Sequence, residues 1–183
     1  MTTYFSFRPE FFNQNGDQAN LEALQYFSGT HFEPAPIENA DFVLIGDSSR
    51  AVMREFEDEL IAMVPLLQAR FDAGSPTLLV GSAHEFFASR IEGMPEMTFG
   101  QRSSKFAKWS DGSVNVFGYR NSEAISPEVF IKGCFVGTLF FGPVLAKNPD
   151  LLELFSEAMN LSLKIDDSTR GILAAIERQT TFD

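Results

Sequence analysis

Ser82, His84 and Glu85 follow directly on an apolar run, Pro76-Thr77-Leu78-Leu79-Val80, and the small pair Gly81-Ser82 joins the two. An apolar strand that turns at small residues straight into a helix has the layout of a nucleophile elbow. In that layout a strained turn holds one side chain at the carboxyl edge of a parallel sheet. The helix N-terminus behind it offers backbone N–H groups and a positive dipole end. The chemistry this suits is acyl transfer. Yet the apex of the turn is Gly81, which brings no nucleophile. Ser82, one residue on, is an alternative nucleophile, with His84 or Asp47 as its base. That arrangement needs the base within hydrogen-bond reach, and a histidine two residues along the same helix points to a different face. The structural roles compete directly. Ser82 followed three residues later by Glu85 reads as a capping box. Asp47-Ser48-Ser49 reads as a cap for a helix opening at Arg50, although Asp47 could also pair with Glu85 or Glu123 as a catalytic carboxylate.

The remaining reactive residue types give weaker signals. Cys134 lies in the apolar stretch Gly133-Cys134-Phe135-Val136 with no basic neighbour to lower its pKa, which reads as a buried structural thiol. His31 stands beside two prolines, and two histidines with one cysteine show no metal-ligand spacing, so no metal and no cofactor is expected. The turn Gly46-Asp47-Ser48-Ser49 lacks the Gly-Lys-Thr/Ser ending of a Walker motif. Gly16-Asp17 could bind a ligand at a helix N-terminus, with capping as the default role. Arg102, Lys105 and Lys108 form a small basic cluster that reads as a solvated strand face.

These residues need elements to hold them. With 183 residues, 44% hydrophobic and 21% charged, the chain has the length and composition of one globular domain spanning residues 1–183. Twenty phenylalanines supply much of the core volume. A net charge of −11 argues against wrapping a phosphate backbone, so no nucleic-acid partner is expected. One cysteine allows no internal disulfide. With no basic-then-apolar start and no run near the roughly 20 apolar residues of a membrane span, a cytoplasmic protein without a membrane partner is expected.

Residues 3–8 alternate as a first strand, and a helix capped by Asp17 or Asn20 runs to Gly29. Residues 31–37 form an irregular link or a short edge strand. A buried strand over 41–46 leads to a long helix over 50–73, bent at Pro65. The elbow strand and its helix follow, closing near Gly93. Strand–helix alternation of this kind calls for right-handed crossovers and a parallel sheet. Beyond Gly93, residues 97–109, 113–119 and 129–141 read as antiparallel additions to that sheet, the last returning towards its centre. Residues 149–161 and 168–178 read as closing helices.

Several of these segments resemble one family in the right order. Asn13-Gln14-Asn15-Gly16-Asp17-Gln18-Ala19-Asn20 resembles the Asn-Leu-Tyr-Gly-Asp-x-x-Asn opening of cobyric acid synthase-type glutamine amidotransferases, the amidotransferase subunits of lipid II isoglutaminyl synthase above all. Phe42 to Gly46 resembles that family's strand ending in a Gly-Gly-Gly turn. The elbow resembles its Pro-x-Leu-x-Ile-Cys-Gly-Gly-x-Gln segment. Phe117-Gly118-Tyr119-Arg120-Asn121 resembles Gly-Phe-Glu-Asn-His. Gly137 to Pro149 is similar to Gly-Thr-Tyr-Leu-His-Gly-Pro-Leu-Leu-Pro-Lys-Asn-Pro. Together these segments span about residues 4 to 160.

The resemblance implies a three-layer, flavodoxin-like α/β amidotransferase domain. Its central sheet would be mostly parallel and flanked by helices, with added antiparallel strands. It also implies a cysteine that attacks the glutamine amide and a histidine that moves protons. Those positions fall on Gly81 and Phe141, and the glycine-rich oxyanion turn becomes Gly46-Asp47-Ser48, with an aspartate of the wrong charge. Glutamine hydrolysis by the family mechanism is therefore expected to be absent. The expected ligand cleft comprises Gly46, Asp47, Ser48, Gly81, Ser82, Asn121 and Phe141. Two binding roles stay open. One is docking on a synthetase-like protein partner or a homodimer; the other is capture of a ligand in the cleft at the strand ends. Rewired catalysis through Ser82, His84 and Asp47 is the alternative.

Overall fold

The computed structural model describes residues 1–180. Its main sheet has six strands: β1 (Thr2–Ser6), β2 (Phe32–Pro34), β3 (Phe42–Ile45), β4 (Thr77–Val80), β7 (Val129–Lys132) and β8 (Phe135–Thr138), in the order β2-β1-β3-β4-β8-β7. All neighbours are parallel except β7, which joins β8 antiparallel at the edge. The central strands β3 and β4 are buried along their whole length. Phe42 and Leu44 point to one face while Val43 and Ile45 point to the other. Burial on both faces is why these strands read as unbroken apolar runs rather than alternating ones.

Helices cover both faces. α2 (Arg50–Glu55), α3 (Glu57–Ala73) and α4 (Ser82–Ala88) pack on one side through residues such as Leu60, Leu67 and Phe87. On the other side α1 (Ala19–Ser28), α5 (Val144–Lys147) and α6 (Pro149–Ala158) pack through Leu24, Leu145 and Phe155. The last helix is α7 (Asp167–Thr180). Gly29 and Gly74 close α1 and α3 in the left-handed conformation that only glycine adopts freely. Among the described residues, no helix is long and apolar enough to cross a membrane.

Three expectations are corrected. The run over 50–73 is two helices, and the interruption falls at Phe56 rather than Pro65, which stays inside α3. Phe56 turns inward to meet Phe7, Phe11 and Phe12 edge-on or tilted. Residues 97–109 and 113–119 do not join the main sheet. They form a separate hairpin, β5 (Thr98–Ser110) and β6 (Asn115–Ser126), and Tyr119 of β6 makes an isolated bridge to Phe141, just beyond β8. The run over 129–141 splits at Gly133, so β8 returns beside β4 in parallel while β7 turns away. Cys134 accordingly lies in that turn, half-buried, with its thiol donating to the Leu154 carbonyl at 3.5 Å.

Candidate functional site

The turn between β4 and α4 is built on Gly81, with φ +56° and ψ −119°. This is a conformation a side chain adopts only under strain. Space is equally restrictive. A Cβ on Gly81 would lie 2.5 Å from Asp47 Oδ1, 2.7 Å from its Cγ and 2.8 Å from Phe141 Cε1. The apex is filled from outside, by an aspartate and a phenyl ring.

Asp47 reaches this position because the end of β3 is held from below. Gly46 lies so close to the Phe12 carbonyl that a Cβ there would be 2.1 Å from its oxygen. One residue on, the Asp47 N–H donates to Asp17 Oδ2 at 2.9 Å. The Asp47 side chain then points at the start of α4. Its Oδ1 accepts the Ser82 N–H at 2.9 Å, and its Oδ2 accepts the Asn15 amide at 2.8 Å. Burial raises the Asp47 pKa, while the hydrogen bonds from Ser82, Ser48 and Asn15 oppose the shift. The N–H of the residue after the apex is the donor an elbow directs at an oxyanion. Here a carboxylate of the same chain holds it.

The structure keeps Ser82 and His84 apart. Ser82 is the first residue of α4 rather than its cap, so the capping box with Glu85 does not form; the N-cap position is Gly81. The Ser82 hydroxyl accepts the Ser48 N–H at 2.9 Å. His84 is fully buried, its Nε2 is 3.3 Å from the Pro127 carbonyl, and its Nδ1 has no hydrogen-bond partner among the described residues. The ring fills the space above Gly137, where a Cβ would be 2.2 Å from Nδ1. Glu85 accepts the Ser122 hydroxyl at 2.5 Å, and burial raises its pKa. Glu123 pairs instead with Arg50 at 2.7 Å on the surface. Of the Asp47-Ser48-Ser49 triplet, Ser49 alone caps α2, accepting the Val52 N–H at 3.3 Å.

The candidate cleft residues do converge. Asp47, Ser48, Ser82, Asn121 and Phe141 line one polar cleft of about 370 Å³ at the carboxyl ends of β3 and β4, together with Arg102. Asn121 accepts the Arg102 Nε–H at 2.8 Å, and the Phe141 N–H donates to the Tyr119 carbonyl at 2.9 Å. Gly46 and Gly81, the other two expected cleft residues, do not line it; they follow β3 and β4 just before Asp47 and Ser82. Among the described residues, no group of three or more His, Cys, Asp or Glu is arranged to hold a metal ion.

Two residues read from the sequence as helix caps do something larger. Asp17 is fully buried and accepts N–H groups from both Asp47 and Gly142, the latter at 3.2 Å. Asn20 donates to the Gly142 carbonyl at 3.2 Å and accepts the Leu145 N–H at 2.8 Å. They clamp the β3 turn to the β8–α5 turn. Spacing alone gave no sign of this, because the partners lie up to 125 residues away.

The buried titratable groups make a prediction about pH. Burial, aided by the nearby Asp47 charge, raises Asp17 to about 6 from 3.8, and burial lowers His84 to about 4 from 6.5. A raised carboxyl contributes stability below its unfolded value and loses it as pH rises through the folded value. A lowered histidine contributes stability above 6.5 and loses it as pH falls through about 4. Between about pH 4 and 6.5 the two trends oppose each other. Asp47 and Glu85, also raised, act in the sense of Asp17. Asp17→Asn should therefore make stability fall more steeply as pH drops across that window, by up to about 3 kcal/mol. Urea midpoints of both proteins at several pH values check this; parallel curves would refute it.

No family model matches the sequence, and no curated protein matches it. Among solved structures, the chain is similar to a glutamine amidotransferase from Thermotoga maritima, with 16% identity, coverage of 98% of this chain and 91% of that one, and a TM-score of 0.52. The fold is that of a glutamine amidotransferase. A second similar structure, that of SMU.1228c, shows 11% identity, coverage of 98% and 100%, and a TM-score of 0.49. At 16% identity the likeness establishes the fold alone, and the chemistry has to be argued from the residues in the cleft.

Proposed function

We propose that this chain is a catalytically inactive glutamine amidotransferase-like protein whose cleft serves binding rather than hydrolysis. One observation carries the reading: Asp47 Oδ1 accepts the Ser82 N–H at 2.9 Å and lies 2.5 Å from where a Cβ of residue 81 would be. The resemblance puts the nucleophilic cysteine at Gly81 and the proton-transferring histidine at Phe141. A glycine forms no acyl-enzyme, and a phenyl ring moves no proton. The aspartate adds a second obstacle. It takes the donor an oxyanion would need, and its charge opposes a developing negative oxygen.

A rewired hydrolase through Ser82 finds less support. The Ser82 hydroxyl accepts the Ser48 N–H and lies beside the Asp47 carboxylate, but that carboxylate takes the Ser82 N–H an oxyanion would need. The His84 ring is buried against Pro127 with its pKa lowered to about 4. A binding role fits a polar cleft lined by Asn15, Arg102 and Asn121. The protein then acts as a regulatory or structural subunit, docked on a synthetase-like partner or on a second copy.

The test is glutamate and ammonia release from L-glutamine by the purified protein, beside a Ser82→Ala control. No release above the buffer blank is expected from either. Release by the native chain that Ser82→Ala abolishes would overturn the proposal in favour of a new nucleophile.

A further inference from the structure

Asn15 is the only asparagine in the chain that is followed by glycine. That pair carries a reaction of its own. The backbone nitrogen after an asparagine lies within five-membered-ring reach of the side-chain amide carbon, and it attacks most readily when its own residue has no Cβ to crowd the approach. Here the approach is open. Asn15 and Gly16 are both exposed, so water and base reach them. Gly16 sits at φ +78°, and a Cβ there would meet nothing within 4 Å. The Gly16 N–H donates to the Asn13 carbonyl at 3.2 Å, the long end of the usual range, and that bond opens before the nitrogen attacks.

The place of this amide in the cleft gives the reaction a consequence. Asn15 lines the cleft, and its Nδ2 donates to Asp47 Oδ2 at 2.8 Å. That bond helps to hold the carboxylate whose other oxygen takes the Ser82 N–H. Deamidation puts a carboxylate oxygen where the donor was. Asp47 then loses a hydrogen bond and gains a like charge beside it, and two carboxylates that close do not ionise independently.

We propose that Asn15 is a self-modification site whose deamidation resets the charge of the cleft. Base takes the Gly16 N–H proton, and the nitrogen forms a bond to Asn15 Cγ. The Cγ–Nδ2 bond breaks, the side-chain nitrogen leaves as ammonia, and a succinimide ring closes. Water then opens that ring at either carbonyl, giving aspartate or isoaspartate at position 15. Nothing is oxidised or reduced, and water is the one co-reactant. The reaction uses neither Gly81 nor Phe141 and needs no glutamine, so it stands whether or not the cleft hydrolyses glutamine.

The test starts from the native protein, incubated folded at neutral and mildly alkaline pH. Mass spectrometry with fragmentation should find the mass gained on replacing NH2 by OH at Asn15, ahead of every other asparagine in the chain. The rate should rise with pH, and ion exchange should resolve a species with one further negative charge. Ammonia should appear without added glutamine and without glutamate, and stop at one per chain, which separates this reaction from turnover. Asn15→Gln, whose longer side chain closes its ring far more slowly, should lose the mass gain and the ammonia. Asn15→Asp reproduces one product directly, and it should raise the pH at which the Ser82 N–H resonance follows the Asp47 carboxyl. Three outcomes would overturn the proposal. The first is a folded protein that keeps its Asn15 amide while the same chain in urea loses it, because the turn then blocks the attack. The second is faster modification at another asparagine of the folded protein. The third is an Asn15→Asp protein whose Ser82 amide titrates as the native one does.

Discussion

Gly81→Cys is expected to lose about 3–5 kcal/mol of stability, the sum of a strained backbone and an overpacked apex, and to gain no glutaminase activity. The new side chain would meet Asp47 Oδ1 at 2.5 Å and Phe141 Cε1 at 2.8 Å before any thiol is placed. Asp47 cannot simply swing aside, because that abandons hydrogen bonds to the Ser82 N–H and the Asn15 amide around a buried carboxylate. A leftover unpaired acceptor or donor there adds its own desolvation cost. The two substitutions should therefore be strongly coupled. Asp47→Gly combined with Gly81→Cys should be more stable than the single effects summed, by at least about 1 kcal/mol. Chemical denaturation of the four proteins in the cycle measures this, and strict additivity would mean that Asp47 does not fill the apex. Adding Phe141→His to Gly81→Cys while leaving Asp47 in place should not restore turnover, because the oxyanion donor is still taken.

Gly46→Ala should be at least as damaging, with a loss of about 4 kcal/mol or more, beyond the usual range for one methyl group. The contact that decides it is with backbone. A Cβ at Gly46 would lie 2.1 Å from the Phe12 carbonyl oxygen and 2.9 Å from the Asp17 Cβ. No rotamer change relieves a clash with a carbonyl, so the segment carrying Phe12 to Asp17 must move off the end of β3. That movement breaks the Asp17 bonds to the Asp47 and Gly142 N–H groups. It also loosens Phe12, which is fully buried among Phe7 and Phe56. The urea midpoint of Gly46→Ala, beside Gly171→Ala where a Cβ meets nothing within 4 Å, checks the claim. Similar midpoints for the two variants would contradict it.

The elbow and the parallel core were legible because their determinants are local. Thr77 to Val80 and Phe42 to Ile45 are short apolar runs that end at glycines, and burial on both faces leaves no other pattern. The hairpin was legible as two strands but not as a separate sheet, since alternation along a strand does not say which neighbour it pairs with. The break within residues 129–141 was hidden because Gly133 and Cys134 continue an apolar texture. What makes the turn is Gly133 at φ +59°, packed against the backbone of Gly74, and Gly74 is distant in sequence. In the cleft, the residue types at positions 47, 81 and 141 could be read directly. Their contacts could not. That Asp47 holds the Ser82 N–H at the start of α4 instead of capping α2, and that Asp17 ties two turns together, depends on partners 30 to 125 residues apart.

The claim at the centre of this account is that Asp47 occupies the backbone donor an oxyanion would use. The Ser82 amide resonance tests it most directly, followed by ¹⁵N-resolved NMR through an acid titration. With Asp47 Oδ1 as its acceptor at 2.9 Å, the Ser82 N–H should titrate with that carboxyl, at a pH above the ordinary aspartate value of 3.8, and be protected from exchange. In Asp47→Asn that titration should vanish. A Ser82 amide that exchanges freely and ignores the Asp47 titration would leave the donor open to substrate, and would contradict the account.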